Sequence, residues 1–594
     1  MTHFLDHYTL RYTPLSPVHI GTDESYEPTN YIIDDNTLYE FDIEGAINAL
    51  TAKDRSELDK IVSKPNAQMI KSVQKFFYDK RDALKPWAIN TIPVLEGVAN
   101  FYNGRVGKVV NHEGGGGEVI NNLEINRCAY NPVNRQPVLF GSSVKGAIRT
   151  ALLNHHNKNQ ALQKTTDRRT GKLRTEDNKE LQQRLLKYEA GKFHLDPLRL
   201  VSVGDANWVN QDDLPKSKIC MTVNRKKHKV VDENGTERPS QSEGNQSLNK
   251  LLECVPAWRY RAFSGQLTLQ NINSIRADLP SSKLPESKFC YSMIDIAKIC
   301  SSFYLPKLKA EVRLMRDREF VDKVWDKSIQ TLIASIADQV RSGNVFLLRI
   351  GRHSGAESVT LNGDGVRNIK ILEGKDPVTK KQKYTFDDET KTLWLASQHK
   401  EQRTDLLPFG WVLVEVESNG ASLDLPLLSE ICSSQYSDDS IWAQKLAQQK
   451  TQFEEIRHEA IERRKQEEIE RLEEAEVARA KMEAAQQKEL EESAKAELKR
   501  QEEEARLSQL PQYLQDIAEL LKAKKDPNKK DYLVLIDAVK AGQWEGSDKQ
   551  VVLEDIQSRM QDLKEWRPTT NKKDPAKDKE YTRTIEVIKL MSRW

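Results

Sequence analysis

The sequence predicts an α+β fold: ferredoxin-like, RRM-type units with helical insertions, then a long charged helix, then a small all-α module. Three observations predict it. Over residues 1–440, strand-like and helix-like stretches are interspersed without a regular βαβ rhythm, as in antiparallel sheets covered on one face by helices. Residues 441–508 contain no glycine or proline and are dominated by charge. Residues 509–594 return to short apolar helix faces. A length of 594 residues leaves room for roughly three or four domains of ~150 residues.

The first region opens with a strand, where Tyr8, Leu10 and Tyr12 alternate with Thr9, Arg11 and Thr13. Tyr31-Ile32-Ile33, Asp34-Asp35-Asn36 and Leu38-Tyr39-Glu40-Phe41 read as a hairpin closed by an Asx-type turn. Ile43, Ala46, Ile47 and Leu50 then share a helix face. Asn344–Gly351, Thr392–Ala396 and Trp411–Glu417 read as later strands. The region is expected to hold two ferredoxin-like units, with polar insertions near 157–182 and 224–249. The first insertion reads equally as a mobile loop or as a solvated helix–turn–helix arm.

Along the charged segment, Glu459/Arg463, Glu467/Arg471, Glu491/Lys495 and Glu502/Arg506 are i,i+4 pairs in the favourable direction. Leu446, Phe453, Ile456 and Ala460 form a short seam that is not sustained as heptads. A largely solvated helix on the order of 100 Å long is expected, with a weak coiled coil as the alternative. In the last module, Leu514/Ile517/Leu520/Leu521, Leu535/Ile536/Val539, Val552/Ile556/Met560/Leu563 and Tyr581/Ile585/Ile588 are candidate helix faces. Its lysine clusters are interleaved with aspartate and read as a solvated surface.

Composition excludes several classes. No apolar run reaches the ~18 residues of a membrane span. The start MTHFLDHYTLRY lacks the basic and apolar regions of a signal peptide, so a cytoplasmic location is expected. Cysteines 128, 220, 254, 290, 300 and 432 form no CxxC pair, so neither a structural zinc nor any other metal is implied. A net charge of +2 does not exclude nucleic acid, because a local basic groove matters more than the total.

One phrase carries phosphate chemistry. Gly141-Ser-Ser-Val-Lys-Gly-Ala-Ile-Arg-Thr150 follows the strand-like Val138-Leu139-Phe140 and opens a helix pattern. A strand, a glycine–serine turn and a helix start aim backbone N–H groups at an anion. Ser142 and Ser143 are placed to cap the helix or to bind phosphate, and Lys145 and Arg149 share a face. The residues alone leave an ordinary capped helix start equally open. GxxxxGK[ST] is absent, and no cofactor is implied. Arg349, Arg352 and His353 in the loop Arg349-Ile-Gly-Arg-His-Ser-Gly355 offer donors where Gly351 and Gly355 let backbone approach a sugar–phosphate chain. Arg367 and Lys370 extend that surface. Arg225–Lys229 is the densest basic run and reads either as a phosphate contact or as a solvated loop. Gly114–Gly117 reads as a flexible loop.

The 141–150 phrase resembles the signature of the CRISPR-associated RAMP superfamily. Other marks of that family follow in order: Leu15-Ser-Pro-Val-His19-Ile-Gly21, Leu123-Glu-Ile-Asn-Arg127, Asp196-Pro-Leu-Arg-Leu200 with Val203-Gly-Asp-Ala206, the glycine-rich loop 349–358, and Pro408-Phe-Gly-Trp-Val412. The set is most similar to Csm-type subunits that cap type III-A effector complexes near the guide 3′ end. The resemblance spans most of 5–417 and leaves the helix and last module unexplained.

It implies guide-RNA binding by His19, Gly141, Ser142, Ser143, Lys145, Arg149, Arg349, Gly351, Arg352, His353, Ser354 and Gly355. The implied partners are guide and target RNA, RAMP backbone subunits, small helical subunits and a host trimming nuclease. It implies no catalytic residue. The alternative is an endoribonuclease of the same superfamily, using His19 or a metal held by Asp34 and Asp35.

Overall fold

A computed structural model describes residues 4–63, 69–108, 123–167, 171–189, 191–210, 213–231, 233–234, 237–238, 249–278, 280, 283–417 and 422–592. The chain divides into two compact units, Met1–Glu467 and Glu468–Trp594.

Strands and helices alternate through the first unit, and the α+β class holds. Its central sheet has seven strands, in the order Val345–Arg349, Trp411–Glu417, Leu5–Pro14, Phe263–Gln270, Ala206–Trp208 and Val138–Leu139, with Val201–Val203 also on Phe263–Gln270. Every pairing in it is antiparallel. Tyr12 lies opposite both Phe263 and Val414, and all three are fully buried. Leu5–Pro14, Gly141–Asn157, Val201–Val203, Phe263–Gln270, Met293–Asp317 and Val345–Arg349 follow one another in the β-α-β-β-α-β order of a ferredoxin-like unit, with long inserts between them.

Both helices bury an apolar stripe. Val144, Ala147, Ile148, Ala151 and Leu152 recur at helical spacing on Gly141–Asn157. Each large aliphatic on that stripe contributes roughly 1.5–3 kcal/mol of burial. Met293–Asp317 starts in a Ser292/Asp295 capping box and buries Ile296, Cys300, Phe303, Tyr304 and Leu308.

A second, five-stranded sheet runs Gly21–Tyr26, Ile125–Cys128, Asn249–Cys254, Lys218–Lys226 and Thr392–Ser397. A third, of three strands, joins Tyr31–Asp34, Thr37–Glu40 and Asn90–Pro93. The expected hairpin is present there. Asp35 and Asn36 have φ of 49° and 55°, the signature of a tight turn with both central residues left-handed.

Two expectations about insertions are corrected. The described residues of 157–182 form neither a bare loop nor a helix–turn–helix arm. Lys164–Thr166 pairs with Leu173–Thr175, and a helix Asn178–Leu186 follows. An Asp177/Glu180 capping box and a Glu176–Arg184 ion pair at 2.6 Å hold this segment, and Leu181, Leu185 and Leu186 anchor its helix in a small apolar cluster. The 224–249 insertion starts later than expected, because Asn224–Lys226 continue a strand paired with Thr392–Trp394. Gly114–Gly117 lies outside the described residues.

A single helix spans Ser437–Ser508. Its first part packs on the first unit. Asp439 is buried between Arg259 and Lys218, the latter at 2.7 Å. The Trp442 indole donates to Thr37 at 2.9 Å, Phe453 meets Tyr39 edge-on, and Glu467 pairs with Arg55 at 2.6 Å. From Glu468 to Arg506 every residue is exposed. Ion pairs along the helix include Arg463–Glu467, Arg479–Glu483 and Arg500–Glu504. The second unit then packs helices Gln512–Lys522, Asp531–Lys540, Gly546–Asp562 and Lys579–Met591 around Ile517, Leu535, Ile536, Val552, Ile556 and Val587. Among the described residues, no helix is long and apolar enough to cross a membrane.

Candidate nucleic-acid interface

The sequence motifs, far apart in the chain, close on one another. At the start of Gly141–Asn157, the Gly141 N–H donates to Asp205 Oδ1 at 2.7 Å. A Cβ built on Gly141 falls closer than 3.0 Å to the Val203 carbonyl oxygen. Glycine is therefore required here by a backbone crossing, and one of the helix's free N–H groups is already taken. The Ser143 and Val144 N–H groups both donate to the Phe140 carbonyl, at 2.9 and 3.2 Å, so of this turn the Ser142 N–H is the one with no acceptor among the described contacts. Phe140, at the N-cap, makes no side-chain cap, and Ser142 is exposed, with Ser143 and Lys145 half-buried. Arg149 pairs with Asp196 at 3.6 Å and donates to Gln182. Asp196 in turn caps the Pro197–Leu200 turn by accepting from the Leu198 N–H at 3.0 Å. Burial lowers the Lys145 pKa, opposed by the nearby Asp196 carboxylate. Among the described residues Lys145 has no ion-pair partner.

The late glycine loop sits against the N-terminal motif. Gly351 has φ of 82°, and a Cβ there meets the His19 carbonyl oxygen closer than 3.0 Å. The Arg352 N–H donates to that same oxygen at 2.8 Å, and its guanidinium donates to Asn126 at 2.7 Å. Ser354 Oγ folds back onto the Gly351 carbonyl at 2.6 Å. Gly355, with φ of 75°, is exposed, and Arg352 is half-buried. The two motif regions are tied by Tyr304, whose hydroxyl donates to the Ala147 carbonyl at 3.1 Å and lies 3.5 Å from the Ser358 carbonyl.

Several residues expected to touch RNA instead work inside the protein. His19 is fully buried, and its Nδ1–H donates to the Glu253 carbonyl at 2.7 Å. Burial pushes its pKa down to about 4, with the Glu253 bond opposing and Arg352 adding. Such a neutral, enclosed imidazole is a poor proton shuttle. Arg349 is buried on Glu311 at 2.8 Å, donates to the Phe409 carbonyl at 3.0 Å, and lies over the Trp411 ring at 4.9 Å. A cation with these partners leaves no donor geometry for a phosphate at the surface. His353 stacks on Trp394 with centroids 4.8 Å apart, and burial, with the charge of Arg352, holds its pKa down to about 3.

Arg225 is also internal: its guanidinium donates to the Lys400 carbonyl at 2.8 Å and the Gln402 carbonyl at 3.1 Å. Lys227 pairs with Glu357 at 2.6 Å. Arg367 donates to Thr360 and Asn362, and Lys370 lies over Tyr384. Asp34 ends the strand before the turn and Asp35 lies in it, Asp34 paired with Lys85 at 2.6 Å and Asp35 with Lys445. Among the described residues, no group of three or more His, Cys, Asp or Glu side chains is placed to hold a metal.

Sequence reasoning missed the supporting acids. Asp196 and Asp205 lie inside quoted motifs, so their position was visible and their role was not. Glu253 has no motif around it. It is a buried carboxylate accepting from Ser217 Oγ at 2.7 Å, Tyr26 at 3.0 Å and the Cys128 N–H at 3.0 Å. Burial raises its pKa despite those bonds.

A family model described as the RAMP superfamily matches residues 11–319. No curated protein matches the chain. Among solved structures, a chain of the "Csm-crRNA-target RNA ternary complex in type III-A CRISPR-Cas system" is similar at 16% identity and a TM-score of 0.38, over 69% of this chain and 100% of that one. Csm5 of T. onnurineus is similar at 15% identity and a TM-score of 0.34, over 68% of this chain and 99% of its own.

Proposed function

The chain belongs to the RAMP superfamily, and from that premise we propose that it holds guide RNA by its phosphates as a non-catalytic capping subunit of a type III CRISPR complex. The observation that carries the reading is the open, basic first turn of Gly141–Asn157. It combines an exposed Ser142, whose N–H has no acceptor among the described contacts, with a Lys145 that has no ion-pair partner among the described residues. Positive charge at a helix N-terminus disfavours the fold by itself, and a phosphate oxygen at that turn offsets it. Arg352 and Gly355 add a second polar patch from the glycine loop.

In this role the partners are guide RNA, paired target RNA, neighbouring RAMP subunits and small helical subunits, and a trimming nuclease that meets the exposed guide end. The buried state of His19 and the ion pairs of Asp34 favour holding over cutting. The test is RNA binding by filter retention at two salt concentrations. Wild type is expected to lose affinity steeply with salt and to bind with little sequence preference. Lys145→Ala with Arg149→Ala is expected to weaken binding and to shallow the salt slope. Equal binding and equal assembly by the double variant would refute the role given to this turn.

A further inference from the structure

Beside the glycine loop, and separate from the helix start, lies a cavity of about 510 Å³. One wall is the face Lys307, Ala310, Glu311 and Leu314 of the helix Met293–Asp317. The opposite wall is Leu393 and Trp394 from the strand Thr392–Ser397. Two cations converge at one end. Lys307 Nζ donates to Asn362 Oδ1 at 2.7 Å, and Arg367 Nη2 donates to the same oxygen at 3.0 Å. Neither has a carboxylate partner among the described residues. The acids of the cavity wall are otherwise engaged: Glu357 by Lys227 at 2.6 Å, and Glu311 by Arg349 at 2.8 Å. Glu389 stands exposed.

Holding two cations on one neutral amide oxygen is unfavourable without an anion between them. Burial lowers the Lys307 pKa to about 8, with Arg367 and Arg349 adding to this and the Glu357 carboxylate opposing it. The rest of the cavity is different in kind. Leu314, Leu393 and Trp394 make an apolar slot. His353 borders it, stacked on Trp394. An anion-binding end joined to an apolar slot matches two parts of a nucleotide: the phosphate and the planar face of the base.

We infer that this cavity takes one nucleoside monophosphate unit, with its phosphate at Lys307 and Arg367 and its base against Leu314, Leu393 and Trp394. The unit is either a free nucleotide or one nucleotide turned out of a bound RNA strand. Only the second source rests on the RNA-binding role proposed above.

The full-length protein is titrated by calorimetry with AMP and, separately, with a single-stranded 20-nucleotide RNA. Wild type, Lys307→Gln, Lys307→Arg and Lys145→Ala are compared. Lys307→Gln is expected to weaken the ligand about tenfold or more, the loss of one charge-assisted hydrogen bond, with recovery in Lys307→Arg. A Lys307-dependent affinity for AMP identifies a free nucleotide as sufficient. RNA binding that depends on Lys307, without AMP binding, identifies a strand nucleotide. AMP binding without RNA binding keeps the cavity and removes the RNA role. RNA binding that falls with Lys145→Ala and is unchanged in Lys307→Gln, with no AMP bound, overturns the cavity and leaves the RNA role standing. Wild type that binds neither ligand overturns both. A variant-free readout covers the case in which Lys307→Gln fails to fold: acylation of Lys307, followed by mass spectrometry, is expected to be blocked by whichever of AMP or RNA binds. Unaltered acylation with both overturns the inference.

Discussion

Replacing Arg349 with methionine removes the guanidinium and keeps most of the side chain's length. The structure makes the cost calculable. Arg349 is 7% exposed and Glu311 8%, and they meet at 2.8 Å. Without Arg349, the described contacts leave Glu311 with the Trp411 indole N–H at 2.7 Å alone. The Phe409 carbonyl loses its donor as well. One-sided removal of a buried ion pair costs about 3–5 kcal/mol. At an m value of ~3 kcal/mol per M in urea, the midpoint falls by roughly 1–1.7 M, and by less if the larger chain has a larger m. Removing both charges, as Arg349→Met with Glu311→Leu, avoids the stranded carboxylate. The double variant should then lie well above the sum of the single losses. The assay is urea unfolding followed by tryptophan fluorescence, with RNA affinity measured on the same preparations. Arg349→Met within about 0.5 kcal/mol of wild type, yet about tenfold weaker for RNA, would refute the reasoning and return this arginine to the RNA surface.

Gly141→Ala is expected to destabilise the first unit by about 1–3 kcal/mol, because its Cβ would meet the backbone of Val203 and Gly204 with no flexible side chain to give way; Ser142→Ala, at an exposed position, should leave the urea midpoint unchanged. Gly351→Ala is expected to cost more than an ordinary surface change, since a φ of 82° and the His19 carbonyl both oppose a side chain. His19 makes stability pH-dependent. Its folded pKa, about 4, lies below the unfolded value of about 6.5, so the unfolded chain binds the proton first as pH falls. Its contribution is intact above pH ~6.5 and shrinks by about 1.4 kcal/mol per pH unit towards pH 4. Wild type should therefore lose roughly 2 kcal/mol more than His19→Asn between pH 7 and 5, read as the difference in their urea midpoints.

Much of the fold was legible because apolar residues report their own burial. The strand Trp411–Glu417 has the limits its sequence predicts, and the turn at Asp35–Asn36 follows from residues that tolerate left-handed backbone. The seam Leu446, Phe453, Ile456 and Ala460 was readable as a stripe, and its partner was not. Phe453 meets Tyr39 within the same chain and Ala460 is buried, while Leu446 and Ile456 stay half-buried. Leu563 fell off its expected face because the helix stops at Asp562 and Lys564 turns left-handed, leaving Leu563 52% exposed. Charged positions were the least legible. Arg349, Arg225 and Lys227 look alike in sequence to surface cations, and only the arrival of Glu311, two carbonyls and Glu357 from elsewhere makes them internal. The insertion at 157–182 misled because ion pairs and caps do much of its ordering, and its few apolar anchors, Leu162 and Leu181 beside Leu185 and Leu186, are too sparse to show as a period.

The lodging of Asp439 decides where this protein can be cut. Arg259 is 2% exposed and shares that carboxylate with Lys218. A fragment ended near residue 436 would seal a guanidinium in the interior without its counter-charge and would lay bare the Tyr39 and Phe41 side of a small hydrophobic cluster. Such a fragment would report on its own damage. Ending after Glu467 keeps the carboxylate, the indole of Trp442 and the Arg55 pair, so a terminus placed there separates the first unit from the rest with its interior whole.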